Sequence, residues 1–376
     1  MNKIFSLPIS SNRIYGLDIL RALAIIFVLI QHGKFLAPSY LHSKFDWFYL
    51  DGVSVFFVLS GFLIGDILLK TFNEANISKS ILFNFWIRRW FRTLPNYFFI
   101  LSVLILLNFL FREGFVLQDK LKYYFFSQNL FYPHPNFFPE AWSLSVEEWF
   151  YLLIPICLYV SIKFFKLSSS KAFLMVAFSI ILGATLFRFS TFISIDTITG
   201  KEWELLFRKQ VFTRMDSLMF GLIGAYFSQN YKKVWLKYKL VFFILGIMFL
   251  FFMKISEQVL LSDSWFKSIF LFSVESIGVL LLLPFFCELK SGKGVLYKIL
   301  TFISLISYSL YLIHLSLVQV YIVRPISNFL FEFNLNWYLF LSIRYLAYFG
   351  ISIFISFFLF KYLEIPIMNL RDKIKF

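Results

Sequence analysis

Cysteine, histidine and acidic residues are all scarce in this 376-residue sequence. The two cysteines, Cys157 and Cys287, lie in or beside apolar runs, so neither a disulfide framework nor a metal site is expected. Charged residues make up only 15% of the chain, against 60% hydrophobic residues and a mean hydropathy of +0.77. Soluble globular domains do not have this composition, which predicts a helical protein that crosses a membrane many times.

A cleavable signal peptide is not expected, because the first apolar run is long enough to span and no small-residue cleavage site follows it. A soluble catalytic domain is not expected at either end of the chain. We therefore predict one integral-membrane domain over residues 1–376, in which the helix bundle itself carries any chemistry.

Ten apolar runs predict an all-α bundle of about ten transmembrane helices. With the N-terminus in the cytoplasm, the inner segments hold most of the Lys and Arg and few acidic residues, which is the positive-inside pattern. Both termini are therefore predicted to be cytoplasmic, and the net charge of +15 is no evidence for nucleic acid as a partner. The predicted spans are residues 16–37, 48–69, 94–111, 142–162, 172–191, 211–229, 240–253, 268–287, 299–322 and 337–360.

The first span carries three ionisable residues that a membrane helix rarely has: Asp18, Arg21 and His32. At about 100° and 1.5 Å per residue, Arg21 and His32 lie on nearly the same face, about 16 Å apart along the axis. Asp18 lies one turn before Arg21 on the same side. Either the three form a functional site, which we favour, or Asp18 and Arg21 form a buried ion pair beside an interfacial histidine.

Three carboxylates are predicted near the outer ends of the next spans. Asp51 begins the second span, where it would cap the helix or orient the imidazole of His32. Glu147 and Glu148 lie in the first turn of the fourth span and cannot face the same way. We expect one to face the bundle as an acid/base candidate and the other to face solvent or lipid headgroups.

A basic segment with interleaved aromatics, FWIRRWFR, precedes the third span. Arg88 and Arg92 are one helical turn apart, and Arg89 lies beside them. Anchoring to anionic membrane lipid explains such a segment. The functional alternative is a clamp for the phosphates of a cytoplasmic nucleotide-like donor, because arginine binds phosphate through two parallel hydrogen bonds.

Two further groups of polar residues occur in later spans. Arg214 and Asp216 are predicted near the outer start of the sixth span, next to small residues at helix-packing spacing. In the ninth span Tyr308, Tyr311 and His314 recur every three residues and form one polar stripe. This stripe is either an aromatic packing seam or a ligand site.

In this order and at these spacings, the motifs resemble the integral-membrane acyltransferases of acyltransferase family 3. The similarity covers nearly the whole chain. It rests on Arg21 and His32 separated by ten residues, DGVSVFFVLSGF, RRWFRTLP and WSLSVEEWFY, with support from RMDSLMFG, SYSLYLIH and the late Glu364-Ile-Pro366.

The resemblance implies transfer of an acyl group, usually acetyl, from cytoplasmic acyl-CoA (acetyl-CoA) to a hydroxyl of a cell-envelope glycan. It marks Arg21 and His32 as essential and links the basic segment to the CoA donor. Glu147 and Glu148 lie in a family motif that gives neither a separate role. Some members carry an extracytoplasmic esterase-like domain after the bundle. This chain would either acylate the carbohydrate acceptor directly or pass the group to a separate extracytoplasmic transferase partner.

Our sequence-based hypothesis is an O-acyltransferase of a bacterial inner (cytoplasmic) membrane. The CoA phosphates would stay at the cytoplasmic arginines, and the pantetheine arm would pass Arg21 towards His32 as general base. Asp51 or Glu147 would stabilise the imidazolium, and a covalent acyl-His32 intermediate is the alternative. A secondary transporter or lipid-linked sugar flippase also fits ionisable residues within spans, but the two halves show no convincing repeat. A non-catalytic scaffold explains the polar first span poorly.

Overall fold

The computed structural model describes residues 13–74, 79–261, 264–333 and 335–373. All regular secondary structure in these residues is helical, and they contain no strand. The α-helices, numbered in chain order, are α1 Tyr15–Gly33, α2 Ser39–Phe45, α3 Gly52–Glu74, α4 Lys79–Phe111, α5 Ala141–Lys163, α6 Ser169–Ile193, α7 Gly200–Trp203, α8 Val211–Asn230, α9 Lys232–Lys237, α10 Lys239–Val259, α11 Trp265–Ile269, α12 Leu271–Glu288, α13 Gly294–Ile313, α14 Arg324–Phe331, α15 Trp337–Leu359 and α16 Ile365–Lys373.

Short 3₁₀ and π-helical segments occur at the ends of the α-helices or between them. The 3₁₀ turns are Lys34–Leu36, Asp46–Phe48 and Gln118–Phe125. The π-helical turns are Glu204–Arg208, His314–Val323 and Phe360–Glu364. π-helical turns are rare and often occur at functional sites. The one that begins at His314 lies at the end of the ninth predicted span.

The prediction of an all-α polytopic membrane bundle is confirmed. Within the described ranges, nine stretches are helical, long and apolar enough to cross a membrane. The remaining predicted span corresponds to α8, a 20-residue helix that is almost entirely buried from Val211 to Tyr226 and packs against α3, α6 and α12. A helix of this length spans about 30 Å, the thickness of the hydrocarbon layer. The nine stretches are Tyr15–Leu36, Ser39–Asn73, Lys79–Phe111, Ala141–Lys163, Ser169–Ile193, Lys239–Val259, Leu271–Glu288, Gly294–Phe331 and Trp337–Arg371.

The third span begins earlier than its apolar run suggested. The basic segment with Arg88 and Arg92 forms the first half of α4, which continues through Pro95 to Phe111. The arginines are therefore fixed rigidly to a transmembrane helix and do not lie on a separate interfacial one. Helix α1 packs against α3, α12 and α13, so most of its surface faces protein.

Helices α3 and α8 approach each other closely at two glycines. A Cβ atom on Gly61 would lie 1.9 Å from the carbonyl oxygen of Leu218, and one on Gly221 would lie 2.1 Å from that of Val58. Neither distance is compatible with a side chain. Small residues permit this backbone contact, which supplies packing in a solvent where apolar surface gives no driving force between helices.

We predict that Gly61→Ala destabilises the bundle by about 1–3 kcal/mol, because the added methyl forces the two backbones apart. Gly350→Ala on α15 is the matched control, since nothing lies within 4 Å of a Cβ at that position. The control should leave stability unchanged or raise it slightly through helix propensity. Thermal unfolding in detergent micelles, followed by size-exclusion chromatography, measures both; equal midpoints would contradict the close contact.

Candidate active site

Three adjoining cavities run through the bundle from one end to the other. The first, which we call the arginine-end cavity, has a volume of about 510 Å³ and is lined by Arg88, Arg89 and Arg92. The second, the central cavity, measures about 100 Å³ and shares Arg89 and Arg92 with the first. The third, the histidine-end cavity, measures about 160 Å³ and contains His32. It shares Val53 and Tyr311 with the central cavity, so one series of side chains connects the arginines to His32.

The central cavity contains three arginines: Arg21 from α1 and Arg89 and Arg92 from α4. In the part of the chain that the structure describes, none of the three forms an ion pair with a carboxylate. Arg89 lies over the ring of Tyr151, with its guanidinium carbon 5.6 Å from the ring centroid. Glu147 lines the same cavity but is hydrogen-bonded to Ser60 and Tyr151, so the cavity keeps an excess of positive charge that suits an anion.

Asp18 does not neutralise Arg21. Its carboxylate accepts hydrogen bonds from Arg13 and from the hydroxyl of Ser304 on α13, the latter at 2.7 Å. The alternative in which Asp18 and Arg21 form a buried ion pair is therefore wrong. Arg13 lies two residues before α1, so its long side chain reaches forward to the carboxylate of Asp18 in the first helical turn.

Both acidic residues of the WSLSVEE motif face protein. Glu147 lines the central cavity and accepts hydrogen bonds from Ser60 at 3.1 Å and from Tyr151 at 2.8 Å. Glu148 is buried and accepts a hydrogen bond from Thr93 on α4 at 2.7 Å. The two side chains point in different directions, as predicted. The expectation that one would face solvent or lipid is wrong, because α3 and α4 pack on either side of this part of α5.

The polar stripe of the ninth span lines the path. Tyr308 lines the central cavity, and its hydroxyl donates to the carbonyl of Thr93 at 2.7 Å, which ties α13 to α4 beside Arg92. Tyr311 lies between the central and histidine-end cavities and accepts a hydrogen bond from Ser143 at 2.7 Å. His314 follows at the end of α13 and is fully buried.

His32 contacts a second histidine. Its Nδ1 lies 2.8 Å from Nε2 of His314, and the other nitrogen of His314, Nδ1, lies 2.8 Å from the carbonyl oxygen of Tyr311. The two imidazoles come from α1 and from the junction after α13, which pack side by side. His32 lines the histidine-end cavity, so one ring contacts both the open space and the buried histidine.

Asp51 caps α3 as predicted, since its carboxylate accepts from the Val53 amide at 3.2 Å and from the Ser54 hydroxyl at 2.9 Å. It also forms ion pairs with Arg208 at 3.2 Å and Arg214 at 3.6 Å. The alternative in which Asp51 orients the imidazole of His32 is wrong within the described structure. Two arginines outcompete a neutral imidazole for the same carboxylate.

The two charged residues of the sixth span belong to buried networks. Arg214 donates to Ser54 at 2.8 Å and lies over the Phe272 ring, 3.8 Å from its centroid. Asp216 accepts from Arg188 and Ser273, at 2.8 and 2.7 Å. Because these charges are paired and inaccessible, they hold α8 against its neighbours, and neither residue lines the three cavities.

The sequence reasoning missed Glu140, which lines the histidine-end cavity and is buried. Its carboxylate accepts from the amides of Leu315 and Ser316, at 3.2 and 2.6 Å, and from the Ser316 hydroxyl. Burial raises the pKa of the Glu140 carboxyl to about 7, although these hydrogen bonds oppose the shift. No local signal marks this residue, because its partners follow a break in a distant helix. Arg208 was also missed, because it ends the short π-helical turn Glu204–Arg208 and its partner Asp51 is 157 residues away in the chain.

Comparison with known proteins agrees with this arrangement. The model of acyltransferase family 3, described as an acyltransferase domain, matches residues 14–361. The chain belongs to this family. The unpaired arginines and the histidine pair thus lie within a domain of this acyltransferase family.

Two relatives of this family-3 member come from Staphylococcus aureus. A protein of strain COL whose name marks it as a putative O-acetyltransferase is 31% identical over 231 residues, which cover 58% of this chain and 35% of the relative. The O-acetyltransferase OatA of strain NCTC 8325 is 30% identical over 226 residues, which cover 56% of this chain and 34% of OatA. The chain thus spans about a third of the length of these curated relatives. No solved structure matches it.

We predict that Asp51→Asn lowers the free energy of unfolding by about 3–5 kcal/mol, because it leaves the fully buried Arg214 without its ion pair. The matched control on the same helix is Asp66→Asn, whose partner Lys70 is largely exposed. The control should cost less than about 1 kcal/mol. Chemical denaturation in detergent micelles measures both; an equal, small loss would show that Asp51 has no structural role.

Proposed function

We propose that this acyltransferase moves an acyl group, most simply acetyl, from acyl-CoA at the arginine end to a glycan hydroxyl at the histidine end. His32 acts as the general base. The observation that carries the proposal is the series of three cavities, which joins a cluster of unpaired arginines to a histidine at the opposite end.

The arginine cluster supports a polyphosphate-bearing donor. Arg21, Arg89 and Arg92 lack carboxylate partners in the described structure, and phosphate oxygens would supply the missing negative charge. The adjoining arginine-end cavity is large enough for a charged head group, whereas the central cavity is narrow. A phosphorylated nucleotide with a thin arm has this shape. The CoA thioester would therefore enter the central cavity arm first.

The histidine end supports a polar acceptor with hydroxyl groups. Its cavity combines aromatic surface from Phe35 and Trp142 with hydrogen-bonding groups from Gln31, Glu204 and Lys209. Apolar walls with a few directed polar groups are typical of small-molecule sites, and aromatic faces suit sugar rings. The O-acetyltransferase names of the relatives also support a hydroxyl as the acceptor.

In the proposed step, the acceptor hydroxyl gives its proton to His32 while its oxygen attacks the thioester carbonyl carbon. The carbon–sulfur bond breaks, and the CoA thiolate takes the proton from the imidazolium. The products are the acylated glycan and free CoA. Glu147 lies on the central cavity among Ser60, Tyr151 and the arginines, so it contributes to the donor side and does not contact His32.

The positive-inside pattern assigns the arginine end to the cytoplasm, the compartment that holds acyl-CoA. We place the protein in the cytoplasmic membrane of a bacterium, where the exposed Arg88 also suits contact with anionic lipid. The acceptor would be an envelope or exported glycan. A separate extracytoplasmic transferase would be needed only if the bundle does not acylate the glycan directly.

The central prediction concerns the purified protein in liposomes supplied with acetyl-CoA and a glycan acceptor. CoA release should require both substrates, and His32→Ala should abolish it while eluting like the wild type. Full activity of His32→Ala would refute the general base. Glycan transport without CoA release would instead support the transporter alternative. Rapid quench with labelled acetyl-CoA tests the covalent route, in which label stays on the protein.

A second prediction concerns donor binding. Arg89→Gln should raise the KM for acetyl-CoA about tenfold or more, because a charge-assisted hydrogen bond contributes about 1.5–3 kcal/mol. The KM for acetyl-pantetheine, which lacks the nucleotide phosphates, should change little. Arg112→Gln is the control, since this exposed arginine lies beyond the opposite end of α4. Equal KM values for Arg89→Gln and wild type would remove Arg89 from the phosphate site.

A further inference from the structure

His314 is a fully buried histidine that the proposed reaction does not touch directly. It stands where α13 gives way to the π-helical turn His314–Val323. Its Nδ1 lies 2.8 Å from the carbonyl oxygen of Tyr311 and 3.1 Å from that of Leu310. A carbonyl oxygen can only accept, so this nitrogen must carry a proton. In the neutral ring, Nε2 of His314 then has a lone pair and no proton.

This assignment fixes the protonation of His32 as well. The lone pair on Nε2 of His314 faces Nδ1 of His32 at 2.8 Å. A hydrogen bond at this distance requires a donor, so Nδ1 of His32 carries the proton and its Nε2 holds the lone pair. Among the residues that the structure describes, no group hydrogen-bonds to Nε2 of His32. The basic nitrogen therefore remains available on a residue that lines the histidine-end cavity.

We propose that His314 is the positioning residue that holds His32 in the tautomer whose basic Nε2 meets the acceptor hydroxyl. The inference rests on the proposed function, in which His32 is the base. When Nε2 of His32 takes the hydroxyl proton, Nδ1 keeps its own proton and its hydrogen bond to His314. His314 stays neutral throughout, and the proton leaves with the CoA thiol.

The surroundings hold His314 in this orientation. The amides of Leu315 and Ser316, next in the chain, donate to the buried carboxylate of Glu140. The side chain of Ser316 donates to the same carboxylate. Glu140 thus satisfies backbone groups at the start of the π-helical turn and fixes the position from which His314 reaches His32.

Two substitutions separate positioning from packing. Asparagine at 314 keeps a donor near the Nδ1 position for the backbone carbonyls but is too short to reach His32. Glutamine presents an amide oxygen near the Nε2 position, where it can accept from Nδ1 of His32. We expect His314→Asn to lower kcat about 10- to 100-fold, part of the 10²–10⁴ that general acid–base catalysis contributes. The KM for acetyl-CoA should not change, and His314→Gln should restore most of kcat.

His134→Asn is the control for the loss of a buried histidine. His134 is also buried but lies in the loop before α5, outside the three cavities. Its substitution should leave kcat unchanged. If His134→Asn lowers kcat as much as His314→Asn does, the effect is one of packing and the positioning role is wrong.

A measurement on the wild type keeps the inference testable even if a variant fails to fold. The chain has four histidines, so ¹⁵N-histidine NMR of the protein in lipid, assigned with His32→Gln, reports the tautomer of His32. Protonated Nδ1 is expected, and protonated Nε2 with bare Nδ1 would overturn the inference. Wild-type kcat in His314→Asn together with an inactive His32→Ala would overturn it while leaving the proposed function intact. An active His32→Ala would refute the proposed base itself.

Discussion

Charge compensation within the membrane organises this protein. A buried arginine is stable when it pairs with a carboxylate or another hydrogen-bond acceptor. The arginines of this bundle differ in whether they have such a partner. At the histidine end, Arg188 and Arg214 pair with Asp216 and Asp51. In the central cavity, Arg21 has no such partner in the described residues, because Arg13 and Ser304 occupy Asp18. The paired charges stabilise the fold, and the unpaired ones lie where we propose that the phosphates of the donor bind.

An irregular segment of backbone lies beside the histidine pair. The π-helical turn after α13 leaves backbone amides that Glu140 accepts, and the same turn begins at His314. A regular helix would hide those amides and point the imidazole elsewhere. The regular part of the bundle, in contrast, relies on close backbone contact such as that of Gly61 with Leu218.

Membership of acyltransferase family 3 and the series of cavities both support the proposed transfer of an acyl group along the bundle. In the proposed reaction, donor and acceptor need not share a compartment, because the arginine-end and histidine-end cavities lie towards opposite ends of the helices. Tyr311 separates the central from the histidine-end cavity, and its hydroxyl also donates to the Glu140 carbonyl at 3.1 Å. The reacting groups would therefore meet at a narrow place, lined by side chains from α3, α5 and α13.

The sequence by itself determined the helical membrane class, the approximate spans and the face that Arg21 and His32 share, because apolar run length and helical periodicity are local properties. It also grouped the arginines of α4. Only the tertiary structure decided which partners these residues have. His32 and His314 are 282 residues apart in the chain. Asp51 pairs with Arg208, which is 157 residues away in a short π-helical turn that shows no periodic pattern. Periodicity specifies the direction of a side chain from its helix, whereas the helix or loop it meets depends on how the whole bundle packs.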